Sequence, residues 1–433
     1  MDFLYKHLNV NSKGHLTFGG VDTVELAAEF GTPLYVMDEN VIRNNIRMFK
    51  ASIEKYYGGK GLVCYAGKAF TCLEMCRIVK DEGIGLDVVS AGELFTAVKA
   101  GVSPEKIKFH GNNKTDYELR YALDSKVGMI VVDNIPELFR LNELCKTFGV
   151  KQDIMFRIKP GIDAHTHDFV MTGQIDSKFG FALETGEAFN AVKEALKCEN
   201  LNLCGVHCHI GSQIMGTEPF EAAADVMLTF IGEIKEKLGH EITEMDLGGG
   251  FGIKYTQEDD FVPFEEYFEA VSAVVKKKCA DLGIEQPFIL IEPGRSIVGE
   301  AGITLYTVGA VKDIPGIRTY VSIDGGMPDN PRYALYGSVY TAITANKADK
   351  PADMKITLAG KCCESGDLIG KDMLISKCEP GDIIAVLTTG AYNYSMANNY
   401  NRIPKPAVVF IKDGKPRIAV RRETVEDLIK NDI

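Results

Sequence analysis

Residues 61–111 read GLVCYAGKAFTCLEMCRIVKDEGIGLDVVSAGELFTAVKAGVSPEKIKFHG. Short apolar runs at 61–66, 85–90 and 106–111 are separated by amphipathic stretches of helical length. Ser90 precedes the second of these stretches in the position of an N-cap, and Gly101 follows it in the position of a C-terminal stop. Strands that alternate with helices in this way predict parallel β-α-β units.

The same alternation continues through the chain as far as residue 294. Five more apolar runs occur at 129–133, 153–159, 203–210, 245–249 and 288–292. Eight strand-helix units over about 230 residues predict a closed (β/α)8 TIM barrel, with a doubly wound open sheet as the alternative. We assign residues 41–300 to this barrel.

Beyond residue 301 the pattern changes to β-rich segments with no long helix between them. Asp413-Gly414, between two alternating runs, predicts a hairpin turn. The N-terminal runs HLTF (15–18) and PLYVM (33–37) are also strand-like. The sequence therefore predicts a second domain, a β-sandwich or small β-barrel, made of residues 1–40 and 301–433.

Composition narrows the class of protein further. Hydrophobic residues make up 45% of the chain and charged residues 25%, which is ordinary for a globular protein. The formal net charge of −12 disfavours nucleic acid and anionic membranes as partners. No apolar run has the ~18 residues of a spanning helix, and the N-terminus lacks a signal-peptide pattern. Together with eleven scattered cysteines, an odd number, these features predict a cytoplasmic, reduced protein.

The carboxyl ends of barrel strands form the active face of this fold, so the residues that end each run are the candidate site. They are Lys68, Asp87, His110, Asp133, Arg157, His209, Gly248 to Gly250 and Glu292. A lysine there can form a Schiff base, and a glycine cluster lets backbone N–H groups approach an anion. The EPGR segment (292–295) adds a carboxylate, a glycine and a cation. This combination points to pyridoxal phosphate (PLP), which needs an amine, a phosphate site and a partner for its ring nitrogen.

The histidines keep a rival hypothesis open. His207 and His209 share one face of the sixth run, and His165 and His167 have the same spacing, as ligands of a metal-dependent hydrolase could. However, the chain has no HExxH motif, and a glycine and a serine follow His209 instead of another ligand. We therefore predict no metal.

Nine motifs extend beyond this residue-by-residue argument. In chain order they are YAGKAF (65–70), HGNNKT (110–115), HTHDFVMTGQIDSKFG (165–180), GVHCHIGSQ (205–213), GGGFG (248–252), EPGRS (292–296), DGGMPDNPRYALYG (324–337), CESGD (363–367) and TGAYNYSM (389–396). With these motifs, which span nearly the whole chain, the sequence resembles the alanine racemase-like, fold-type III PLP-dependent decarboxylases.

The resemblance assigns roles to individual residues. It implies that Lys68 holds PLP covalently, that His209 stacks on the ring, and that Glu292 faces the pyridine nitrogen. Related racemases have an arginine in place of Glu292, so the carboxylate favours decarboxylation. Further cofactor contacts are implied for Asp87, Ser212, Gly250, Gly294, Arg295 and Tyr392.

The resemblance also implies a reaction: decarboxylation of meso-2,6-diaminopimelate to L-lysine and CO2, the last step of lysine biosynthesis. The implied substrate-binding residues are Arg295, Arg332, Tyr336, Glu364 and Tyr392. Two guanidinium groups suit the distal carboxylate of this substrate, which ornithine and lysine lack. Cys363 would donate a proton to the carbon that has lost CO2.

In this family Cys363 and Glu364 enter the site of the neighbouring subunit, which implies a homodimer with shared active sites. One alternative is a sister decarboxylase acting on another amino acid or on a carrier-bound glutamyl substrate. A second is a non-catalytic PLP-binding relative, which the intact Lys68, Cys363 and Tyr392 disfavour.

Overall fold

The computed structural model describes residues 3–162 and 177–433. The strands in these residues are β1 Asn9–Val10, β2 Leu16–Phe18, β3 Val21–Asp22, β4 Leu34–Asp38, β5 Gly61–Ala66, β6 Gly85–Val88, β7 Ile107–Phe109, β8 Met129–Val132, β9 Gln152–Lys159, β10 Phe181–Ala182, β11 Leu201–His207, β12 Glu244–Asp246, β13 Phe288–Ile291, β14 Gly302–Ile314, β15 Arg318–Ile323, β16 Ala342–Thr344, β17 Met354–Ala359, β18 Leu368–Ile375, β19 Ile383–Val386, β20 Ala407–Lys412 and β21 Lys415–Val420.

The α-helices in the same residues are α1 Thr23–Phe30, α2 Glu39–Tyr57, α3 Leu73–Glu82, α4 Ala91–Ala100, α5 Asp116–Asp124, α6 Ile135–Phe148, α7 Glu187–Ala195, α8 Glu218–Leu238, α9 Phe264–Leu282, α10 Arg295–Val298, α11 Arg332–Tyr336, α12 Asn393–Met396 and α13 Val425–Ile429. None of them combines the length and the apolar character that crossing a lipid bilayer requires.

Parallel pairing closes eight of the strands into a ring. The order around it is β9-β11-β12-β13-β5-β6-β7-β8, and the pairing of β8 with β9 completes the circle. Each of the eight predicted runs supplies one of these strands, so the predicted barrel is confirmed. The short strand β10 pairs with β9 as an additional neighbour.

The local sequence explains why the barrel forms. Its strands are almost entirely buried, because their outer side chains face helices and their inner side chains fill the ring. The inner layer includes Cys64, Met129, Val131, Met155 and Leu290. The helices begin where the sequence predicts, since Ser90 and Thr115 accept hydrogen bonds from backbone N–H groups of α4 and α5.

The second unit is built mainly of β-structure, as predicted. The N-terminal strand β4 lies in its large sheet between β14 and β20, while β2 lies in a separate sheet of β1, β2 and β3. Strand β14 is thirteen residues long; its first part pairs with β4 and β19, and its second part pairs with β15. The predicted hairpin at Asp413-Gly414 joins the antiparallel strands β20 and β21.

The two units differ from the predicted ranges by four residues at each outer boundary of the barrel and in one internal segment. The barrel unit consists of Asn45–Gly252 and Phe261–Ser296, and the β unit of the segment ending at Asn44, Ile253–Asp260 and Ile297–Ile433. Ile253–Asp260 therefore belongs to the β unit although it lies inside the predicted 41–300. The reason is local bonding: Tyr5 donates a hydrogen bond to the carbonyl of Lys254, and Thr341 Oγ1 donates to that of Tyr255 over 2.9 Å.

A buried carboxyl group in the β unit leads to a prediction about pH. Asp329 accepts hydrogen bonds from the Tyr306 hydroxyl (2.6 Å) and the Gly326 N–H (3.1 Å), and burial raises its pKa to about 7. The folded state then binds a proton that the unfolded state releases above about pH 4. The resulting stabilisation is complete below that pH and is lost as the pH rises to about 7.

We expect the free energy of unfolding to fall by about 2–4 kcal/mol over this range because of Asp329 alone. Urea unfolding gives the free energy of unfolding of the wild type and of Asp329→Asn at several pH values in this range. The difference between the two slopes of this free energy against pH measures the contribution of Asp329. Asp313→Asn, at an exposed position of the same unit, is the control. Equal slopes in the wild type and in Asp329→Asn would contradict the prediction.

Candidate active site

Lys68 follows the first barrel strand directly. Strand β5 ends at Ala66, and a turn of 3-10 helix, Gly67–Ala69, comes next. The Thr71 hydroxyl donates to the Gly67 carbonyl over 2.6 Å and fixes this turn. Within the turn Gly67 and Ala69 are buried and Lys68 is exposed. The fold therefore presents a single amine at the carboxyl end of β5.

Glu292 lies directly after the last barrel strand and is held by two histidines. His207 Nε2 lies 3.2 Å from Glu292 Oε2 and His110 Nε2 lies 2.9 Å from Glu292 Oε1. Burial acts to raise the pKa of Glu292, but His110 and His207 together lower it well below its usual value. Burial lowers the pKa of His110 to about 4 and also lowers that of His207. The site therefore holds an anionic carboxylate between two neutral imidazoles.

Two further carboxyl groups adjoin Glu292. Asp87 is the last residue but one of the second barrel strand, Asp246 is the last residue of the seventh, and both are buried. Burial, together with the charge of Glu292, raises the pKa of each of them well above its usual value. The positive charge of Lys68 acts in the opposite direction on Asp87. Negative charge at this end of the barrel is therefore concentrated on Glu292.

The glycine cluster and His209 lie on neighbouring loops. The Gly249 N–H points at His209 Nδ1 over 3.4 Å, and burial lowers the pKa of His209 well below its usual value, which leaves a neutral ring. Gly250 has φ of +108°, and a Cβ added there would lie 2.4 Å from the Gly211 carbonyl oxygen. Only glycine allows this close approach of two backbones.

Ser212 and Arg295 lie beside these glycines. Arg295 Nη2 donates to the Ser212 hydroxyl over 2.9 Å, and Arg295 is buried at the start of α10. A cation, a hydroxyl and a glycine-rich backbone together form a suitable environment for a phosphate group.

In the β unit the structure brings together three of the predicted substrate residues. The Arg332 guanidinium lies 5.1 Å from the ring centre of Tyr336 and 5.1 Å from that of Tyr392. Arg332 is 8% exposed, and its Nε has no hydrogen-bond partner among the described residues. Tyr392 has φ of +69°, a strained value for a non-glycine residue. A buried cation held between two aromatic rings can pair with an anionic ligand.

Cys363 and Glu364 lie on an exposed loop of the same unit. Asp367 anchors the loop, because its carboxylate accepts the N–H groups of Cys362 (2.7 Å) and Met327 (2.6 Å). Both Cys363 and Glu364 are exposed in the chain, and the Cys363 N–H donates to Asn401 Oδ1 over 3.0 Å. The loop is thus fixed at its base and presents a thiol and a carboxylate outward.

The barrel gathers the strand-end residues that the sequence predicts, including Arg157, whose guanidinium lies 4.3 Å from the Phe179 ring centre. His165 and His167 lie outside the described residues. One ligand atom each of His110, His207 and Glu292 lie within 4.8 Å of one another, a spacing that a metal ion would also accept. His207 Nε2 pairs with Glu292 Oε2, whereas His110 Nε2 and Glu292 Oε1 lie 2.9 Å apart without a hydrogen bond of good geometry.

Sequence reasoning missed two features of this site. It gave His110 no role, although His110 contacts Glu292, and it did not single out Asp246 at all. The available signal for Asp246 was a lone acid within the apolar run Met245 to Leu247. For His110, the contact joins the third and eighth strands and depends on the closed ring.

The residues of the barrel end fit pyridoxal phosphate. The group needs an amine for its aldehyde, donors for its phosphate and a charged partner for its ring nitrogen. Lys68 supplies the amine, and the glycine cluster with Ser212 and Arg295 supplies the donors. Glu292 supplies an anion that the two imidazoles orient. The close backbone approach at Gly250 forms the cradle, and any side chain there would fill it.

Comparisons with known proteins agree with this arrangement. Residues 40–299 match the family model described as "Pyridoxal-dependent decarboxylase, pyridoxal binding domain". The chain therefore belongs to the pyridoxal-dependent decarboxylases.

The most similar relatives narrow the assignment. The diaminopimelate decarboxylase of Bacillus subtilis is 49% identical over 431 residues, covering 100% of this chain and 98% of the relative. That of Bacillus methanolicus is 50% identical over 414 residues, covering 96% of each chain. The crystal structure of the M. jannaschii diaminopimelate decarboxylase in complex with L-lysine matches with a TM-score of 0.92 and 37% identity, covering 99% and 98% of the two chains. Within its family, this chain thus falls among the diaminopimelate decarboxylases.

Proposed function

We propose that this enzyme removes one carboxylate of meso-2,6-diaminopimelate as CO2, leaving L-lysine, with pyridoxal phosphate held covalently by Lys68. The observation that carries the proposal is that the same end of the barrel holds both an exposed lysine, Lys68, and a buried, anionic carboxylate, Glu292. When bound, pyridoxal phosphate supplies an electron-poor ring that accepts the electron pair left by the departing CO2.

Glu292 is the residue that selects this chemistry. Its carboxylate would accept a hydrogen bond from the ring nitrogen of a bound cofactor and so would keep a proton there, which favours electron withdrawal. His207 and His110 hold the carboxylate in place, and neither imidazole competes for the proton, because burial lowers the pKa of both. His209, also neutral, contacts the face of the ring.

The phosphate is bound by the loops after the sixth, seventh and eighth strands. Ser212, Gly250 and Gly294 provide hydroxyl and backbone donors, and Arg295 provides the positive charge. Asp87 lies further inside as a buried neighbour of Glu292. Tyr392 completes the cofactor contacts.

The distal end of the substrate is bound by one cation and one carboxylate. Arg332 pairs with the distal carboxylate, and Tyr336 and Tyr392 pack beside the Arg332 guanidinium. Glu364 accepts the distal ammonium, and Cys363 delivers a proton to the carbon that has lost CO2. We propose that Cys363 and Glu364 act in the site of a partner subunit, which their exposure within the chain supports.

We also propose that the protein resides in the cytoplasm, which is a reducing compartment. All eleven cysteines are free thiols, and eight of them are buried. Buried, unpaired cysteines are typical of proteins from reducing compartments.

Substrate choice tests the proposed function. We expect CO2 release from meso-diaminopimelate to exceed that from ornithine, arginine and lysine, because only the first presents a distal carboxylate to Arg332. Arg332→Ala should lower kcat/KM for meso-diaminopimelate, since it leaves this carboxylate unpaired. The decrease should correspond to a loss of about 2–4 kcal/mol of transition-state stabilisation. Activity on lysine should change far less.

Arg332→Lys is the matched variant, because it keeps the charge but loses the planar two-pronged contact. It should fall between the wild type and Arg332→Ala. Preference for ornithine or a carrier-bound substrate in the wild type would favour the sister decarboxylases instead. An unchanged kcat/KM in Arg332→Ala would place Arg332 outside the site.

A further inference from the structure

Asp246 is a fully buried acid at the carboxyl end of the barrel. It is the last residue of β12 and has 0% of its surface exposed. Its chain neighbours Met245 and Leu247 are buried apolar residues. An acid in such surroundings is costly unless its polar atoms are satisfied, so its contacts indicate its role.

The first side-chain oxygen of Asp246 bonds to the glycine cluster, and backbone hydrogen bonds link this segment to two other strand ends. Asp246 Oδ1 accepts the Gly248 N–H over 2.8 Å. The Gly248 carbonyl in turn accepts the Glu292 N–H over 2.7 Å, and the Asp246 carbonyl accepts the Cys208 N–H over 2.9 Å. Asp246 therefore bonds to the first residue of the glycine cluster, and that residue bonds to the backbone of Glu292.

The side chain of Asp246 adjoins that of Glu292. Asp246 Oδ2 is buried and makes no hydrogen bond of good geometry within residues 3–162 and 177–433. Burial and then the charge of Glu292 raise the pKa of Asp246 well above its usual value. Lys108, whose positive charge acts to lower this pKa, is itself engaged by Glu244 at 3.6 Å. Two adjacent buried carboxyl groups are accommodated when they share one proton.

We propose that Asp246 is a positioning residue for the cofactor, which as a neutral carboxylic acid orders the glycine loop through Gly248 and donates its proton to Glu292. This inference rests on the proposed function, because it assigns Glu292 to the ring nitrogen and the glycine loop to the phosphate. Asp246 touches neither cofactor nor substrate in this scheme. Its effect passes through Glu292 and Gly248.

Asp246→Asn and Asp246→Ala separate this role from mere packing. The asparagine keeps an acceptor for Gly248 and an N–H donor for Glu292, whereas alanine removes both. Wild-type and variant apoenzymes are titrated with pyridoxal phosphate, and the dissociation constant is measured by absorption. We expect Asp246→Asn to bind within about threefold of the wild type and Asp246→Ala to bind about tenfold or more weakly.

The matched control is Asp153→Asn, the same change at an exposed acid near the amino end of the barrel strand β9. It should bind pyridoxal phosphate like the wild type. The visible absorption of the bound cofactor, followed as a function of pH, should be shifted in Asp246→Ala and restored in Asp246→Asn. A purely structural role would not give this rescue of the spectrum by asparagine.

Two results would overturn the inference. If Asp246→Asn is as weak as Asp246→Ala, an ionised carboxylate is required and the neutral acid is wrong. If Asp246→Ala binds like the wild type, Asp246 has no positioning role. Should the alanine protein not fold, Asp246→Leu, which keeps the volume and removes both hydrogen bonds, takes its place. Failure of the wild-type apoenzyme to bind pyridoxal phosphate would instead refute the proposed function.

Discussion

Replacing Lys68 with alanine is expected to lower kcat by roughly a thousandfold or more and to abolish covalent attachment of pyridoxal phosphate. Lys68 is the exposed amine of the turn that follows β5, and its loss removes both the attachment point and a group that can move protons. The visible absorption of the attached cofactor should disappear with it. Borohydride reduction of the wild type followed by peptide mapping should label Lys68.

The chain offers a close control for this experiment. Lys60 immediately precedes the same strand, at its opposite end, where its amine donates to the Gln286 carbonyl over 2.5 Å. Lys60→Ala should keep both the absorption and the activity. Labelling of a lysine other than Lys68 in the wild type would refute the assignment.

A mixed dimer of Lys68→Ala and Cys363→Ala is expected to regain activity that neither parent has. Each single variant should be nearly inactive, since loss of a proton donor such as Cys363 costs about 10²–10⁴-fold. If each site takes Lys68 from one chain and Cys363 from the other, a mixed dimer carries one site with both defects and one with neither. Random re-association makes about half the dimers mixed, so activity should return to roughly a quarter of wild type.

Co-expression with two affinity tags isolates the mixed dimer and removes doubt about subunit exchange. If both residues came from the same chain, every site would carry one defect and no activity would return. An isolated mixed dimer no more active than its parents would therefore contradict the shared site. It would leave the assignment of Lys68 untouched.

Local sequence was sufficient to predict the barrel and the ends of its strands. The strands are short apolar runs, and helices α4 and α5 begin at the capping residues Ser90 and Thr115. Since a parallel barrel places all carboxyl ends at one face, the list of strand-end residues is also a list of candidate site residues. Lys68, Asp87 and Glu292 could be found in this way without any knowledge of their contacts.

The features of the structure that the sequence alone could not predict depend on contacts between residues that are distant in the chain. The pairing of His110 with Glu292 joins strands far apart in the chain. The position of Arg332 beside Tyr392 joins residues sixty apart, with no periodic pattern to reveal it. The assignment of Ile253–Asp260 to the β unit likewise follows from hydrogen bonds to Tyr5 and Thr341. Such contacts follow from the completed fold, not from local propensity.

The position of β4 in the large sheet has a consequence for the synthesis of this chain on the ribosome. Leu34 of β4 pairs with Leu305 of β14, about 270 residues later in the chain. At roughly 5–20 residues per second, this buried strand leaves the ribosome about 15–50 s before its first partner exists. During that interval its apolar LYVMD segment has two open edges, and the barrel sequence is translated meanwhile. The nascent chain therefore needs protection at its N-terminal end, where a chaperone that holds extended apolar segments would act first.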